Sequence, residues 1–501
     1  MKRILKAAAA LLVCISIMTG CGSEAGSRSE PEKSEGAETE IVESKTADPE
    51  TDPENPEAAD SEGMEDMQMN HENMVQAVYP QMAPYPNEEE YIDKKTGEFD
   101  DEGFSKVFDA WWEQKQSRRN LPENFAENLT PFFASSIRRF LTEEIPGAEG
   151  ENRIYSPVNV YMALSMLAET TDGNSRQQII DLLGMDSVEH LREQAGQVWE
   201  ANYSQDGAVT SLLANSLWLD EAVPFKRETL DSLAENYYAS SYWGKMGSRE
   251  LDERLQAWLN EQTGDLLKEQ ASGVHMSDDT LMALASTIYF RAKWSDEFSK
   301  ANTKEQTFHG VQGDISCDFM HQSGTNTYYW GETFGAVHKS LQESGGMWLI
   351  LPDEGVTPEE MLLDDEVMDL ILSGNVWEMD WENQKHLVVN LEMPKFDVVS
   401  NISLIDGLKH LGVTDVFDGK ASDFAPLAEG ADGIFLSQAS HAARVMVDEE
   451  GCIAAAYTVM AAAGAAMPPE EEMDFVLDRP FLFVITSDSG MPLFAGIVNR
   501  L

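Results

Sequence analysis

An uncharged, alanine-rich segment near the C-terminus places the strictest limit on how this chain can fold. Residues 448–469 read DEEGCIAAAYTVMAAAGAAMPP, where two acids and a glycine precede a run of small residues. Alanine favours helices over strands, so composition alone indicates an exposed helix ended by Gly464 and Pro468. A strand would instead turn an uncharged, mostly small set to one face, as insertion into a crowded sheet requires. That set is Cys452, Ala454, Ala456, Thr458 and Met460.

Composition limits the size of the fold and the kinds of partner. The chain has 501 residues, 42% of them hydrophobic, which is enough for one large domain or two modest ones. Its formal net charge is -54. A protein this acidic repels phosphate backbones and anionic lipid surfaces. We therefore expect no nucleic-acid partner and no polybasic contact with a membrane.

The N-terminus has the layout of an export signal. Residues 1–20 place three basic side chains ahead of an apolar run that is too short to span a bilayer comfortably. Residues 18–21, Met-Thr-Gly-Cys, resemble the lipobox of bacterial lipoproteins, which predicts lipidation of Cys21 and display on the outside of a bacterial membrane. A plain signal peptide is the alternative. Removal of the signal would leave Cys317 and Cys452 besides Cys21, too few for a disulfide framework.

Two further segments precede the main body of the chain. Residues 21–73 are acidic and rich in Pro, Ser and Gly, which predicts a disordered, extended tether; an acidic ligand-binding tail is the less favoured interpretation. Residues 74–120 form an N-terminal extension in which four aromatic residues stand at helical spacing. This helix is expected to pack on the body, although it could also form a binding face. The four aromatic residues are Phe104, Phe108, Trp111 and Trp112.

The remaining residues, 121–501, combine helical and strand patterns without a repeat. Helical patterns cover residues 158–171 and 176–184. Strand patterns dominate later and include LMALASTIYF, GMWLILP, HLVVNLEMPKF, ARVMVDEE, RPFLFVIT and MPLFAGIVN. Helices early and strands late predict an α+β domain.

The sequence contains no conventional active site. It lacks a G-x-S-x-G elbow, an H-E-x-x-H motif, paired C-x-x-C motifs and a phosphate-binding G-x-x-x-x-G-K-[ST] loop. His321 and His441 have no carboxylate or cysteine at ligand spacing in the sequence, so structural roles are favoured for both. Pairing two of the many acids as a glycosidase site would be arbitrary. We expect no enzyme activity, no metal and no cofactor.

Several ordered motifs resemble the serpin family. VMVDEEGCIAAAYT is similar to the hinge of that family, and DRPFLFVITSDSGMPLFAGIVNRL is similar to its C-terminal signature. Upstream, NRIYSPVNVYMALSMLAETT, STIYFRAKW, LEMPKF and LKHLGVTDVFD fall in the family's order. The resemblance covers residues 121–501. It implies a serpin fold with mixed and antiparallel sheets, a surrounding helical layer and an exposed reactive-centre loop.

The resemblance also implies a mechanism. Serpins are suicide inhibitors: a protease acylates the loop, and the cleaved loop inserts into the main sheet as a new strand, a behaviour well known for the family. The family's spacing from Gly451 places the scissile bond at Ala465–Ala466, and counting back from Pro480 moves it to Ala466–Met467. Small residues there imply an elastase-like serine protease as target. Cysteine proteases stay open, because the trap needs only an acyl or thioacyl intermediate.

Inhibition in the family depends on a hinge of small residues, which this chain largely matches. Cys452 replaces the usual Thr or Ser, and Ile453 replaces a commonly polar residue, but both changes should permit insertion. A redox role for Cys452 with Cys317 is a weaker alternative. The hinge residues carried over are Glu449, Glu450, Gly451, Cys452, Ala454, Ala455, Ala456 and Thr458.

A polar cluster that controls sheet opening in the family maps to Asn152, Ser156, Ser286 and His441, with Ser286 where asparagine is usual. Residues 187–200 present no basic face, so activation by heparin is not expected. We expect a monomer whose partners are target proteases in covalent complexes. The alternatives are a non-inhibitory serpin that acts as a binding protein and, from another class, an envelope hydrolase.

Overall fold

Within the residues that the structure describes, two β-sheets of nine strands each form the framework. The structure is a computed structural model that describes residues 8–18, 73–93, 95–119, 121–122, 125–142, 150–374, 376, 379–430, 433–452 and 469–501. The predicted α+β class with mixed sheets is confirmed. No helix within these ranges has the length and apolar composition needed to span a bilayer. The predicted lipidation site, Cys21, and nearly all of the predicted tether lie outside the described residues.

In the described part of the chain, the first sheet has seven strands in its main path and two short strands beside it. The main path is, in spatial order, β13 (Phe396–Ser403), β14 (Ile434–Val447), β1 (Ala8–Met18), β7 (Thr280–Lys293), β5 (Thr210–Asp220), β6 (Ala239–Gly244) and β2 (Asn73–Val75). The short strands are β15 (Gly451–Cys452), which pairs with β7, and β4 (Ser204–Gln205), which pairs with β5.

The second sheet contains most of the large apolar strands. Its main path is β16 (Glu472–Val476), β12 (Gln384–Pro394), β9 (Gly313–Trp330), β10 (Phe334–Ser340), β11 (Gly346–Pro352), β17 (Phe481–Thr486), β18 (Pro492–Val498) and β3 (Arg153–Tyr155), with β8 (Lys304–Gly310) paired to β9. Strands β11, β17 and β18 are buried along their whole length, which explains their continuous apolar sequences. The strand patterns predicted from sequence are confirmed, and GMWLILP coincides with β11.

Helices surround the sheets. They are α1 (Asp101–Arg119), α2 (Phe125–Thr142), α3 (Pro157–Thr170), α4 (Gly173–Leu182), α5 (Val188–Asn202), α6 (Arg227–Asn236), α7 (Arg249–Gln262), α8 (Lys268–Ser272), α9 (Pro358–Met361), α10 (Asp365–Ile371) and α11 (Ile405–His410). Short 3-10 turns cover Glu88–Tyr91, Lys300–Asn302 and Asp415–Phe417.

Helix α3 joins the two sheets. Ser156 caps its N-terminus by accepting a hydrogen bond from the backbone N–H of Asn159, and Pro157 occupies the first turn, where a missing N–H costs nothing. Every residue of α3 is buried, because the helix packs against β7 of the first sheet and β18 of the second. The main hydrophobic core lies around this helix.

The middle of the first sheet, between β7 and β14, is occupied by β1; we call this place the central position. Strand β1 runs parallel to both neighbours, and its Cys14 stands opposite His441 of β14 and Ser286 of β7. The strand belongs to the predicted export signal, residues 1–20. The first sheet therefore accommodates a strand from a distant part of the chain between β7 and β14.

Candidate functional site

The chain leaves β14 through a turn that is fixed to the end of β7. The indole N–H of Trp294 donates to the carbonyl oxygen of Asp448 at 3.0 Å. The backbone N–H of Trp294 donates to the carbonyl oxygen of Glu450 at 3.2 Å. The backbone N–H of Phe298 donates to the carbonyl oxygen of Glu449 at 2.9 Å. Three consecutive carbonyl groups are thus held by one segment of chain, which fixes the start of the predicted reactive loop.

The two glutamates of the hinge differ in their surroundings. Glu449 is buried, and its carboxylate accepts hydrogen bonds from the Thr303 hydroxyl at 2.7 Å and from Lys395 Nζ at 3.2 Å. Burial works against the charged form, but these hydrogen bonds and one from the backbone outweigh it and hold the pKa of Glu449 below its usual value. Glu450 pairs with Lys300 at 2.5 Å nearer the surface. Glu449 therefore anchors the hinge as a buried carboxylate.

Gly451 occupies a position that only glycine fits. Its φ is +114°, a region that residues with a side chain rarely adopt, and an added Cβ would lie 2.5 Å from the backbone nitrogen of Trp294. This close approach lets β15 begin directly on β7, with Gly451 opposite Lys293 and Cys452 opposite Ala292.

The rest of the predicted hinge and the predicted reactive bond lie outside the described residues. For Cys452 the structure describes only the backbone. Cys317, its suggested redox partner, is a half-buried free cysteine on β9, and burial together with the Asp318 carboxylate raises its pKa. The undescribed residues are Ala454, Ala455, Ala456, Thr458, Ala465, Ala466 and Met467.

Three residues of the predicted sheet-opening cluster surround the central position. His441 is fully buried, and its Nε2 accepts a hydrogen bond from the backbone N–H of Ser156 at 3.1 Å. Ser286 stands in the same row of the first sheet, separated from His441 by β1, because both are opposite Cys14. The row therefore places polar side chains on either side of the central position.

Asn152 lies elsewhere. Its amide group donates to the carbonyl oxygen of Arg500 at 2.8 Å, and its Oδ1 accepts from the backbone N–H groups of Asn499 at 2.7 Å and Arg500 at 3.0 Å. Asn152 thus ties the end of the chain to the start of β3. The structure brings Ser156 to His441 but does not bring Asn152 to them.

A buried lysine, Lys339, lies near the hinge. Lys339 Nζ lies 5.2 Å from the ring centre of Trp294 and 4.3 Å from that of Phe298, and it donates to the carbonyl oxygen of Asp296 and to Gln322 Oε1. Burial lowers the pKa of Lys339 to about 8, although the Asp296 charge opposes the shift. Sequence reasoning gave no role to Trp294, Thr303 or Lys395, because their partner, the hinge, lies about 50 to 155 positions away in the chain.

His321 and His441, the two histidines considered for catalysis or ligand binding, have different surroundings. His321 has a carboxylate in space that its sequence neighbourhood did not suggest, since its Nδ1 lies 3.4 Å from Glu392 Oε1. His441 is buried against Ser156 and Tyr155. Within the described part of the chain, no group of three His, Cys, Asp or Glu side chains could hold a metal ion. The site instead holds the backbone of residues 448–450 at the end of β7, in a sheet whose central position contains β1.

Comparison with known proteins agrees with this geometry. The family model described as Serpin (serine protease inhibitor) matches residues 131–501. Serpin-Z2A of Triticum aestivum is 30% identical over 383 residues, which cover 71% of this chain and 92% of the wheat protein. Serpin-ZX of Arabidopsis thaliana is 26% identical over 367 residues, which cover 70% of this chain and 92% of its own.

Solved structures show the same architecture. The thermophilic serpin tengpin in its native state aligns with a TM-score of 0.65 and 25% identity, covering 76% of this chain and 95% of tengpin. Arabidopsis AtSerpin1 in its native stressed conformation aligns with a TM-score of 0.63 and 23% identity, covering 76% of this chain and 99% of its own.

Proposed function

Because this chain belongs to the serpin family, we propose that it inhibits proteases as a suicide substrate and is not itself an enzyme. The segment between β15 and β16 presents the bond that the target attacks. The protease nucleophile adds to the carbonyl carbon of Ala465, the amine of Ala466 leaves, and the loop stays bound to the protease as an acyl group. Insertion of the loop into the first sheet then removes the protease from the geometry that deacylation needs.

The observation that carries this proposal is the alignment of β15 with the central position. Strand β15 pairs antiparallel with β7 at Lys293 and Ala292. The central position begins beside Phe290, which lies two residues before Ala292 on β7. A chain that continued β15 in the same register would place Ala454 opposite Phe290. The cleaved loop would therefore replace β1, running antiparallel to β7 where β1 runs parallel.

The same register explains why the hinge residues are small. Residues directly opposite each other on neighbouring strands share a face of the sheet. Phe290 and Ile288 point into the main hydrophobic core, so Ala454 and Ala456, opposite them, would enter a filled interior. Small side chains fit there, whereas a large or charged one would overpack the core or bury a charge.

Thr458 would take the place that Cys14 occupies in the polar row. The register puts it opposite Ser286, in the row that also contains His441. We propose that the Thr458 hydroxyl provides a hydrogen-bonding group between these two side chains after insertion. The substitution of the family's usual asparagine by Ser286 leaves room for such a contact.

Insertion provides enough energy to trap a protease. About a dozen new strand residues, each gaining roughly 1 kcal/mol net from backbone hydrogen bonding, would release on the order of ten kcal/mol before side-chain burial. This release is comparable to the stability of a whole domain. No external energy source is needed.

The small residues at the reactive bond point to an elastase-like target. Ala465 and Ala466 would suit a shallow specificity pocket and offer no cation to a trypsin-like one. We further propose that the protein is exported and anchored through Cys21 outside a bacterial membrane. Removal of residues 1–20 would also take β1 out of the central position and make it available to the loop.

Incubation of the exported chain with pancreatic or neutrophil-type elastase, followed by denaturing electrophoresis, tests the proposal. We expect a complex that resists denaturation and a released C-terminal fragment. Mass spectrometry of that fragment distinguishes cleavage at Ala465–Ala466 from cleavage at Ala466–Met467. Cleavage of the loop without a stable complex, across a broad panel of serine and cysteine proteases, would contradict inhibition and favour a non-inhibitory binding protein.

A further inference from the structure

Residues 73–119, which precede the region matched by the family model, connect the two sheets. We propose that this segment, here called the brace, resists movement of the outer strands of the first sheet relative to the second sheet. It would thereby slow the rearrangement that insertion of the loop requires. The inference concerns the rate of the insertion step and so rests on the proposed function.

One end of the brace is fixed to the outer strand of the first sheet. Strand β2 pairs antiparallel with β6. The backbone N–H of Val75 donates to the Ser241 hydroxyl at 3.1 Å, and that of Ala77 donates to the Ser240 hydroxyl at 3.2 Å. These contacts make the start of the brace move with β6.

The middle of the brace is attached to the turn between β4 and β5. The indole N–H of Trp111 donates to Asp206 Oδ2 at 3.0 Å, and the backbone N–H of Tyr85 donates to the carbonyl oxygen of Asp206 at 2.6 Å. Trp111 is only 2% exposed, so its contact is protected from water. Asp206 Oδ1 also caps its own turn by accepting from the backbone N–H groups of Ala208 and Val209. The brace is thus joined to β5 as well as β6.

The far end of the brace is attached to two turns of the second sheet. Lys115 Nζ donates to the carbonyl oxygen of Glu343 at 2.5 Å and to its carboxylate at 3.2 Å, and it lies 3.3 Å from Asp488 Oδ2. Glu343 belongs to the turn between β10 and β11, and Asp488 to the turn between β17 and β18. The Lys115 side chain is 14% exposed, and both acids are largely buried. Partly buried, charge-assisted contacts of this kind are stronger than exposed ion pairs.

These anchors link strands on the β7 side of the central position to the second sheet. Neighbouring strands lie about 4.8 Å apart, so filling or emptying the central position displaces one side of the first sheet by roughly that distance. A contact of 3.2 Å between Lys115 and Glu343 cannot survive a relative movement of that size. Rearrangement that moves β5 and β6 relative to the second sheet must therefore break an anchor, which raises its barrier.

Hydrogen exchange of Lys115→Met in the otherwise unchanged chain tests the brace. Methionine keeps much of the side-chain length and removes the charge. We expect amides of β5, β6 and β7 to exchange about tenfold faster, while those of β11 and β17 keep their rates. Lys106→Met is the matched control, since Lys106 is exposed on the same helix. Equal exchange in the two variants, or acceleration in both sheets alike, would overturn the proposal.

A second variant approaches the same anchor from the second sheet. Asp488→Asn should accelerate exchange in β5–β7 as well, and the combination with Lys115→Met should add little, because both changes break one anchor. Fully additive effects would contradict a shared anchor.

Neither measurement uses a protease. If the protein traps no protease, the proposed function is wrong, and the exchange comparison still tests the brace. If hydrogen exchange is unchanged while trapping is normal, only the brace proposal is wrong.

Discussion

The two sheets differ in the side chains that fill their centres. Around the central position, β7 and β14 carry many small and polar residues beside large ones such as Ile288 and Phe290, all buried. In the second sheet, β11, β17 and β18 carry large apolar residues that are also buried. Small side chains allow a strand to enter or leave without large cavities, whereas interlocked large ones do not. The small and polar set is Ala283, Ala285, Ser286, Thr287, His441, Ala442 and Ala443.

The difference indicates a division of labour within one domain. The first sheet holds β1 at its centre and fixes the hinge to the end of β7, whereas the second sheet is filled with large apolar side chains. Trp294 and Lys395 hold the hinge at the boundary between them. Substitutions in one sheet should therefore affect trapping or stability without affecting the other sheet.

The largest effect is expected from Ala456→Arg. In the proposed register the introduced guanidinium would face the main core opposite Ile288, where an unpaired charge is costly. The variant should be cleaved as a substrate. The amount of complex that resists denaturation should fall at least about a hundredfold, because a buried unpaired charge costs several kcal/mol. Densitometry of denaturing gels measures the ratio of complex to cleaved inhibitor.

Val399→Arg on β13 serves as the control for that experiment, because residue 399 is exposed at the edge of the same sheet. It should trap protease like the unmodified chain. If Ala456→Arg also traps at full efficiency, the register drawn from β15 is wrong.

Trp348→Ala should have the opposite result: it should weaken the second sheet and leave the trapping of protease unchanged. Trp348 is fully buried on β11, in edge contact with Tyr329 at 5.1 Å. We expect its removal to lower the free energy of unfolding by about 3–5 kcal/mol. The ratio of complex to cleaved inhibitor should stay unchanged under conditions where the variant is folded.

Denaturant unfolding with Trp112→Ala, which removes a 40% exposed tryptophan, provides the comparison for Trp348. A loss of trapping in folded Trp348→Ala would show that the second sheet takes part in the movement.

Gly451→Ala should give an intermediate effect at the hinge. The positive φ and the close approach to Trp294 should together lower the free energy of unfolding by about 1–3 kcal/mol. Gly313→Ala isolates the backbone contribution, since Gly313 has φ +121° and no atom within 4 Å of an added Cβ. Thermal unfolding that is shifted equally in both variants would argue against a crowding cost at Gly451.

The smallest effect concerns pH. Because burial lowers the pKa of Lys339 to about 8, from 10.5, the unfolded chain binds more protons than the folded one between these values. Stability contributed by this group should therefore rise with pH above about 8, by roughly 1 kcal/mol between pH 8 and 9. Denaturant unfolding of Lys339→Met should lack this rise; an identical pH profile would assign the effect to other groups.

Local patterns in the sequence predicted much of this fold. Strands such as β11 and β17 carry continuous apolar runs of strand length, and the helical pattern of residues 158–171 coincides with α3. The hinge was inferred from the resemblance of VMVDEEGCIAAAYT to the serpin family, whereas composition alone favoured a helix there. These features depend on neighbours in the chain.

Contacts between residues far apart in the chain could not be predicted from the sequence. Lys115 is one of many charged residues on a polar helix, and its partners lie 228 and 373 positions away. Asn152 matched a family position yet binds the end of the chain, because β3 lies beside β18. Nor does composition indicate that residues 8–18 would occupy a sheet, since the same apolar run is typical of an export signal.

Strand β2 has one further consequence, for association between molecules. An uncovered edge strand offers unpaired backbone groups to any neighbouring chain, and such edges are common starting points for aggregation. By pairing with β6, residues 73–75 cover one edge of the first sheet. The first sheet is thereby protected at this border, which favours solubility when many copies are crowded together.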